Sequence, residues 1–206
     1  GLFGVSVLGA QAPLSTFART DPTVYGYGLG TTGFATSLII GIYLIAMITG
    51  ALLFPLIARL TTPRLTLMGA STLVGVGFLL FLPLHGTYLQ VVVNMVIVGL
   101  GSGALVAALP AAAASAAPST QTGVATGLTN SVKTVGGAIA SCVFGIALLQ
   151  GATGAAQTGG TAGSFSGYVT VWVVCGATAL AAAVLLLFVP KTAFTDAGRE
   201  AQAEVR

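Results

Sequence analysis

The segment FATSLIIGIYLIAMITGALLFPLIA, residues 34–58, runs without a single charged side chain. A helix of about 20 largely apolar residues spans the hydrocarbon core of a bilayer, and this run exceeds that length. The rest of the chain repeats the pattern. Charged residues make up 5% of the 206 positions, against about 25% in an average chain, and the mean hydropathy is +1.00. Too little polar surface is available to solvate a globule of this size, so lipid is the solvent for most of the chain.

Apolar length predicts six helices, at about 1–18, 34–58, 65–83, 89–114, 122–149 and 167–190. The fold class is therefore an all-α polytopic membrane protein: one transmembrane unit over 1–190 and a polar, charged tail over 191–206. The connectors are RTDPTVYGYGLGTTG (19–33), RLTTPR (59–64), LHGTY (84–88), SAAPSTQT (115–122) and the uncharged GATGAAQTGGTAGSFSG (151–167). Six spans put both ends on one side. That side holds Arg59, Arg64, Lys191, Arg199 and Arg206, and the other holds Arg19. The imbalance predicts a cytoplasmic tail and a cytoplasmic RLTTPR loop. The chain opens on Gly1 within an apolar run, without a signal peptide's basic start. Processing, or sequence upstream, is expected.

Small residues recur every fourth position. Gly99, Gly103, Ala107 and Ala111 do so in the fourth helix; Gly123, Gly127 and Ser131, then Gly137, Ser141 and Gly145, do so in the fifth. Such stripes let backbones approach closely in lipid. A chain rich in Gly and Ala also produces them by composition alone. Pro55 and Pro110 fall late in the second and fourth helices, where each removes a backbone hydrogen bond. This spacing hints at two groups of three helices, a 3+3 inverted repeat of the kind transporters use.

The polar inventory excludes much. Its net charge of +3 comes from basic residues at the edges of apolar runs rather than from a cluster, which argues against nucleic acid. One histidine, His85, reads as an exposed loop residue. The acidic residues Asp21, Asp196, Glu200 and Glu204 all lie outside the spans. No metal-ligand set and no nucleophile–base pair can be drawn from them, so no metal, cofactor or enzymatic activity is expected. Cys142 and Cys175 read as reduced packing residues. Trp172, Tyr168 and Tyr88 fall near outer helix ends, where aromatic belts form.

Several stretches resemble the major facilitator superfamily. QAPLSTFARTDPTVYGYGLGTTGFATSLIIGIYLIAMITGALLFPLIARLTTPRLTLMGA is similar to that superfamily's seventh and eighth helices, with GYGLG (26–30) in place of the GYGFG common before the eighth helix of actinobacterial drug-efflux members. In ARLTTPRLTLMGA, Arg59, Arg64, Leu67 and Gly69 match the family's basic loop; Thr62 replaces a usual glycine. GLGSGALVAALP resembles the tenth helix and TGVATGLTNSVKTVGGAIASCVFG the eleventh. The resemblance covers essentially the whole chain. It implies the carboxy-terminal six-helix half of a twelve- or fourteen-helix transporter working by alternating access. It further implies export of small organic molecules in exchange for protons, in a bacterial cytoplasmic membrane. Partners would be lipid, the amino-terminal half, the substrate and protons.

Lys133 stands out, about eleven residues into the fifth helix, or roughly 16 Å at 1.5 Å per residue. A charge at a helix centre costs roughly 2.5–3.5 kcal/mol on insertion scales. Asn130 shares its helix face. Two readings stand: a polar wall of the central cavity that meets an anionic or polar group, or a lysine that snorkels to the headgroups or pins two helices. Gln11, Tyr43, Thr49 and Asn94 are further substrate-path candidates, with interhelical hydrogen bonding as their alternative. Arg59 and Arg64 read as orientation and gating residues. Rival functions are a stand-alone six-helix scaffold, a dimerising half-transporter, an importer of the same superfamily and, more distantly, a membrane enzyme.

Overall fold

The computed structural model describes residues 2–115, 117–149 and 163–188. The tail over 191–206 and most of the 151–167 connector lie outside the described residues. Among the described residues the structure is helical with no strand. In chain order it comprises α1 (Leu2–Gly4), a π-helical turn (Val5–Gly9), α2 (Gln11–Arg19), α3 (Pro22–Tyr25), α4 (Gly33–Leu60), α5 (Pro63–Leu79), α6 (Tyr88–Ser115), a 3₁₀ turn (Ser119–Gln121), α7 (Thr122–Leu149) and α8 (Phe165–Phe188).

Four of these helices, α4, α6, α7 and α8, are long and apolar enough to cross a membrane. The expected helix over 1–18 is instead a broken rod. Pro13 has no N–H for the carbonyl four residues back, and the chain re-registers through the π turn and Ala10. The helix expected over 65–83 begins earlier and ends sooner. Thr62 caps it by accepting from Leu65 N (3.3 Å), and Pro63 takes its first position. Pro83 stops it, and His85 donates from Nδ1 towards the freed carbonyls of Phe81 (2.9 Å) and Leu82 (3.1 Å). Ser164 starts α8 by accepting from Gly167 N (3.1 Å), two residues before the expected 167–190 span.

The helix α6 is the hub. It packs along α4 on one side and against α5 and α7 on others, while α5 also packs on α8. Glycine sets the α4–α6 spacing: a Cβ on Gly103 would lie 1.8 Å from Met47 O, and one on Gly50 would lie 2.1 Å from Leu100 O. Gly99 and Gly103 of the expected stripe thus form a close backbone contact. The stripe Gly123–Gly127–Ser131 on α7 does not. It is exposed, the two glycines have open space, and Ser131 Oγ bonds its own helix at Gly127 O (3.0 Å). The first helix meets α7 at Gly4, where a Cβ would lie 2.0 Å from Lys133 O.

At the His85 end sits an aromatic core. Trp172 stacks on Phe81 (centroids 5.3 Å apart) and meets Phe17 edge-on (5.2 Å). Tyr168 and Trp172 are buried rather than turned to a lipid belt. His85 is half-buried against Trp172 (5.6 Å), not a free loop residue. These rings come from three separate parts of the chain, α2, the α5–α6 connection and α8, so their meeting is not visible in local sequence.

Candidate functional site

Among the described residues, three of the cavities lie along the first helix. The central one is walled by Gln11 and Ser6 of the first helix, Tyr43 of α4, Met95 of α6, Phe81 beyond α5 and Trp172 of α8. It brings Gln11 and Tyr43 into one lining. Its volume is about 50 Å³. A water needs roughly 10–15 Å³ measured this way, so this conformation has room for a few waters and not for an organic substrate.

The second cavity, about 320 Å³, lies between α6 and α7, with Phe3 of the first helix in its lining. Lys133, Asn130 and Thr129 enter it from α7; Leu105, Leu109 and Pro110 enter from α6. The volume falls within the range of small-molecule sites, roughly 300–1,000 Å³. Lys133 is half-buried, and its side chain forms no hydrogen bond or ion pair among the described residues. The hydroxyls of Thr129 and Thr134 donate within their own helix, to Ala125 O (2.9 Å) and Asn130 O (3.0 Å). The third cavity, about 290 Å³, is mostly apolar and lies between the first helix, α5, α6 and α8.

The remaining sequence candidates separate. Asn94 is fully buried and donates from Nδ2 to Leu84 O (2.8 Å), tying α6 to the α5–α6 turn; it lines none of the three cavities. Its Oδ1 is unpartnered among the described residues. Thr49 is exposed and bonds Ile45 O (2.9 Å) in its own helix. Arg59 is exposed at the end of α4. Arg64 is anchored: Nε donates to Leu186 O (2.9 Å) and a terminal nitrogen donates to Leu187 O, so it caps the carbonyl end of α8. Sequence reasoning passed over Ser6, whose Oγ donates to Cys175 O (3.1 Å) at the junction of the central and apolar cavities. A lone serine in the run GVSVLGA was the available signal. Among the described residues no group of His, Cys, Asp and Glu is placed to hold a metal.

No curated protein matches the chain. The family described as sugar (and other) transporter matches residues 6–204. The chain therefore belongs to that family of the major facilitator superfamily, multi-pass membrane proteins that carry sugars or other small molecules across the bilayer.

Proposed function

We propose that this chain is the carboxy-terminal six-helix half of a drug-efflux-type exporter, with a cytoplasmic tail, in a bacterial cytoplasmic membrane. In this reading a second six-helix half completes the substrate cavity. The two halves rock about it in alternating access, and a 3+3 repeat underlies each. The observation that carries the reading is Lys133. It is a cation inside a span, turned into a cavity of ligand size together with Asn130 and without a counter-charge among the described residues. Intramembrane charges of this kind mark substrate or ion pathways. The exposed small and polar face of α7, with Gly123, Gly127, Ser131 and Thr134, supports a helical partner there. Proton coupling would use carboxylates of the other half, since Asp21, the one acidic residue among those described, sits in the α2–α4 connection.

Gln11 and Tyr43 would act later in the cycle, when the central cavity widens. Arg59 and Arg64 would set orientation and the closing of the loop end. The test is Lys133→Ala in the complete transporter: export falls while membrane insertion stays normal. Unchanged export at equal expression removes Lys133 from the cavity wall.

A further inference from the structure

We infer that the chain binds a single-chain amphiphile with an anionic head, the head on Lys133 and Asn130 and the tail in the apolar cavity beside them. This deepens the Lys133 cavity role proposed above and rests on it. The two cavities share Phe3, Leu105 and Leu109 as a common wall, so head and tail sites are adjacent. The tail site is bounded by Leu67 and Val74 of α5, Leu105 of α6, and Ala179 and Leu185 of α8. Ser6 at its edge gives its hydroxyl proton to Cys175 O, and Ser71 brings the other hydroxyl on this otherwise apolar wall.

Charge decides the head. Lys133 lies in the interior of a span, and the structure supplies no anion to it among the described residues. A cation in low dielectric is costly alone and is favoured by a desolvated partner of opposite sign. Asn130 adds neutral donors beside it. Packing decides the tail. The helices α5 and α8 are zipped where a Cβ on Gly75 would lie 2.7 Å from Leu180 and one on Gly176 would lie 2.7 Å from Leu79. No slot for a second chain opens at that contact, which favours one tail over the two of a bilayer phospholipid. A plain sugar does not match the tail half of this site, because the apolar cavity offers its hydroxyls few partners.

The experiment measures equilibrium binding of tritiated hexadecanoate to the full chain in phosphatidylcholine nanodiscs. Saturable binding is expected, with competition by hexadecyl phosphate. Neutral 1-hexadecanol and cationic hexadecyltrimethylammonium should compete about tenfold worse or more, as expected for loss of a charge-assisted contact. Lys133→Met should erase that preference while leaving the alcohol's affinity unchanged. Lys133→Arg should keep the preference, and Leu105→Trp should weaken every probe by filling the shared wall. Equal competition by the alcohol in the wild type overturns the inference. So does a preference that survives Lys133→Met, or displacement of hexadecanoate by phosphatidylglycerol added to the disc, which would make the occupant a bilayer lipid. Should Lys133→Met fail to insert, the wild-type competition series still decides. Export and binding fail separately. Export lost in Lys133→Ala with no anion preference leaves the transport role and removes the amphiphile; anion preference with unchanged export does the reverse.

Discussion

Gly103→Ala tests the tightest contact in the bundle. The added methyl carbon would lie 1.8 Å from Met47 O, 2.6 Å from Met47 C and 2.9 Å from Ala51 N. These are backbone atoms of α4, so no rotamer change relieves the clash. The two helices must separate by more than an ångström, which also loosens Gly50 against Leu100 and Gly99 against Ala46. Overpacking of this kind costs about 1–3 kcal/mol, and more when backbone must move. For a chain of this size each kcal/mol lowers the melting midpoint by roughly 2–4 °C. A drop of about 3–10 °C is expected in detergent, read by the loss of the monodisperse peak on heating. Gly69→Ala is the control: Gly69 is exposed on α5 with open space around its would-be Cβ. That change should stay within about 0.5 kcal/mol. Equal midpoints for the two variants would refute the argument that α4 and α6 touch through glycine.

Arg64→Ala should free the carbonyls of Leu186 and Leu187 at the end of α8; a loss of about 1–3 kcal/mol is expected, seen as faster amide exchange over Val184–Phe188, whereas Arg59→Ala leaves that exchange unchanged. Asn94→Ala should destabilise by a similar amount, about 1–3 kcal/mol, by stranding Leu84 O, while transport per folded molecule holds, because Asn94 lines none of the three cavities along the first helix. Tyr27, in the loop before α4, donates to Gly163 O. Burial, then the neighbouring phenols of Tyr168 and Tyr25, raises its pKa above the ordinary 10.0. Its contribution is therefore fully present below pH 10 and lost as pH rises through the raised value. Protease access to the 26–32 loop should increase there, and Tyr27→Phe should abolish that pH dependence.

Most of what was legible in the sequence came from length and apolarity. The structure has long helices over Gly33–Leu60, Tyr88–Ser115 and Thr122–Leu149, where apolar length alone predicts spans at 34–58, 89–114 and 122–149. The first helix departs from its expected form, since a π turn depends on how Pro13 and Gly4 settle against neighbours rather than on composition. Fourfold glycine spacing was correct at Gly99 and Gly103 and uninformative at Gly123 and Gly127, because spacing gives a face but not what it meets. Lys133 and Asn130 were visible as polar intruders in an apolar run, and the structure puts both in one cavity. The pairing of Gln11 with Tyr43, and the absence of Asn94 from the three cavities along the first helix, needed the crossing of helices far apart in sequence. His85 and Trp172 were misplaced for the same reason: burial of a ring is decided by tertiary partners.

The crossing of Gly4 over Lys133 bears on how the chain is made. Of the four long spans, α7 is the least apolar, and it alone carries a charge in its middle. It is therefore the span a translocon is least inclined to release into lipid. Its tightest partner is the first helix, synthesised more than a hundred residues earlier and already in the bilayer when α7 emerges. Biogenesis of α7 then becomes a templated step, with the opening segment holding a berth that only a bare Gly4 backbone leaves wide enough.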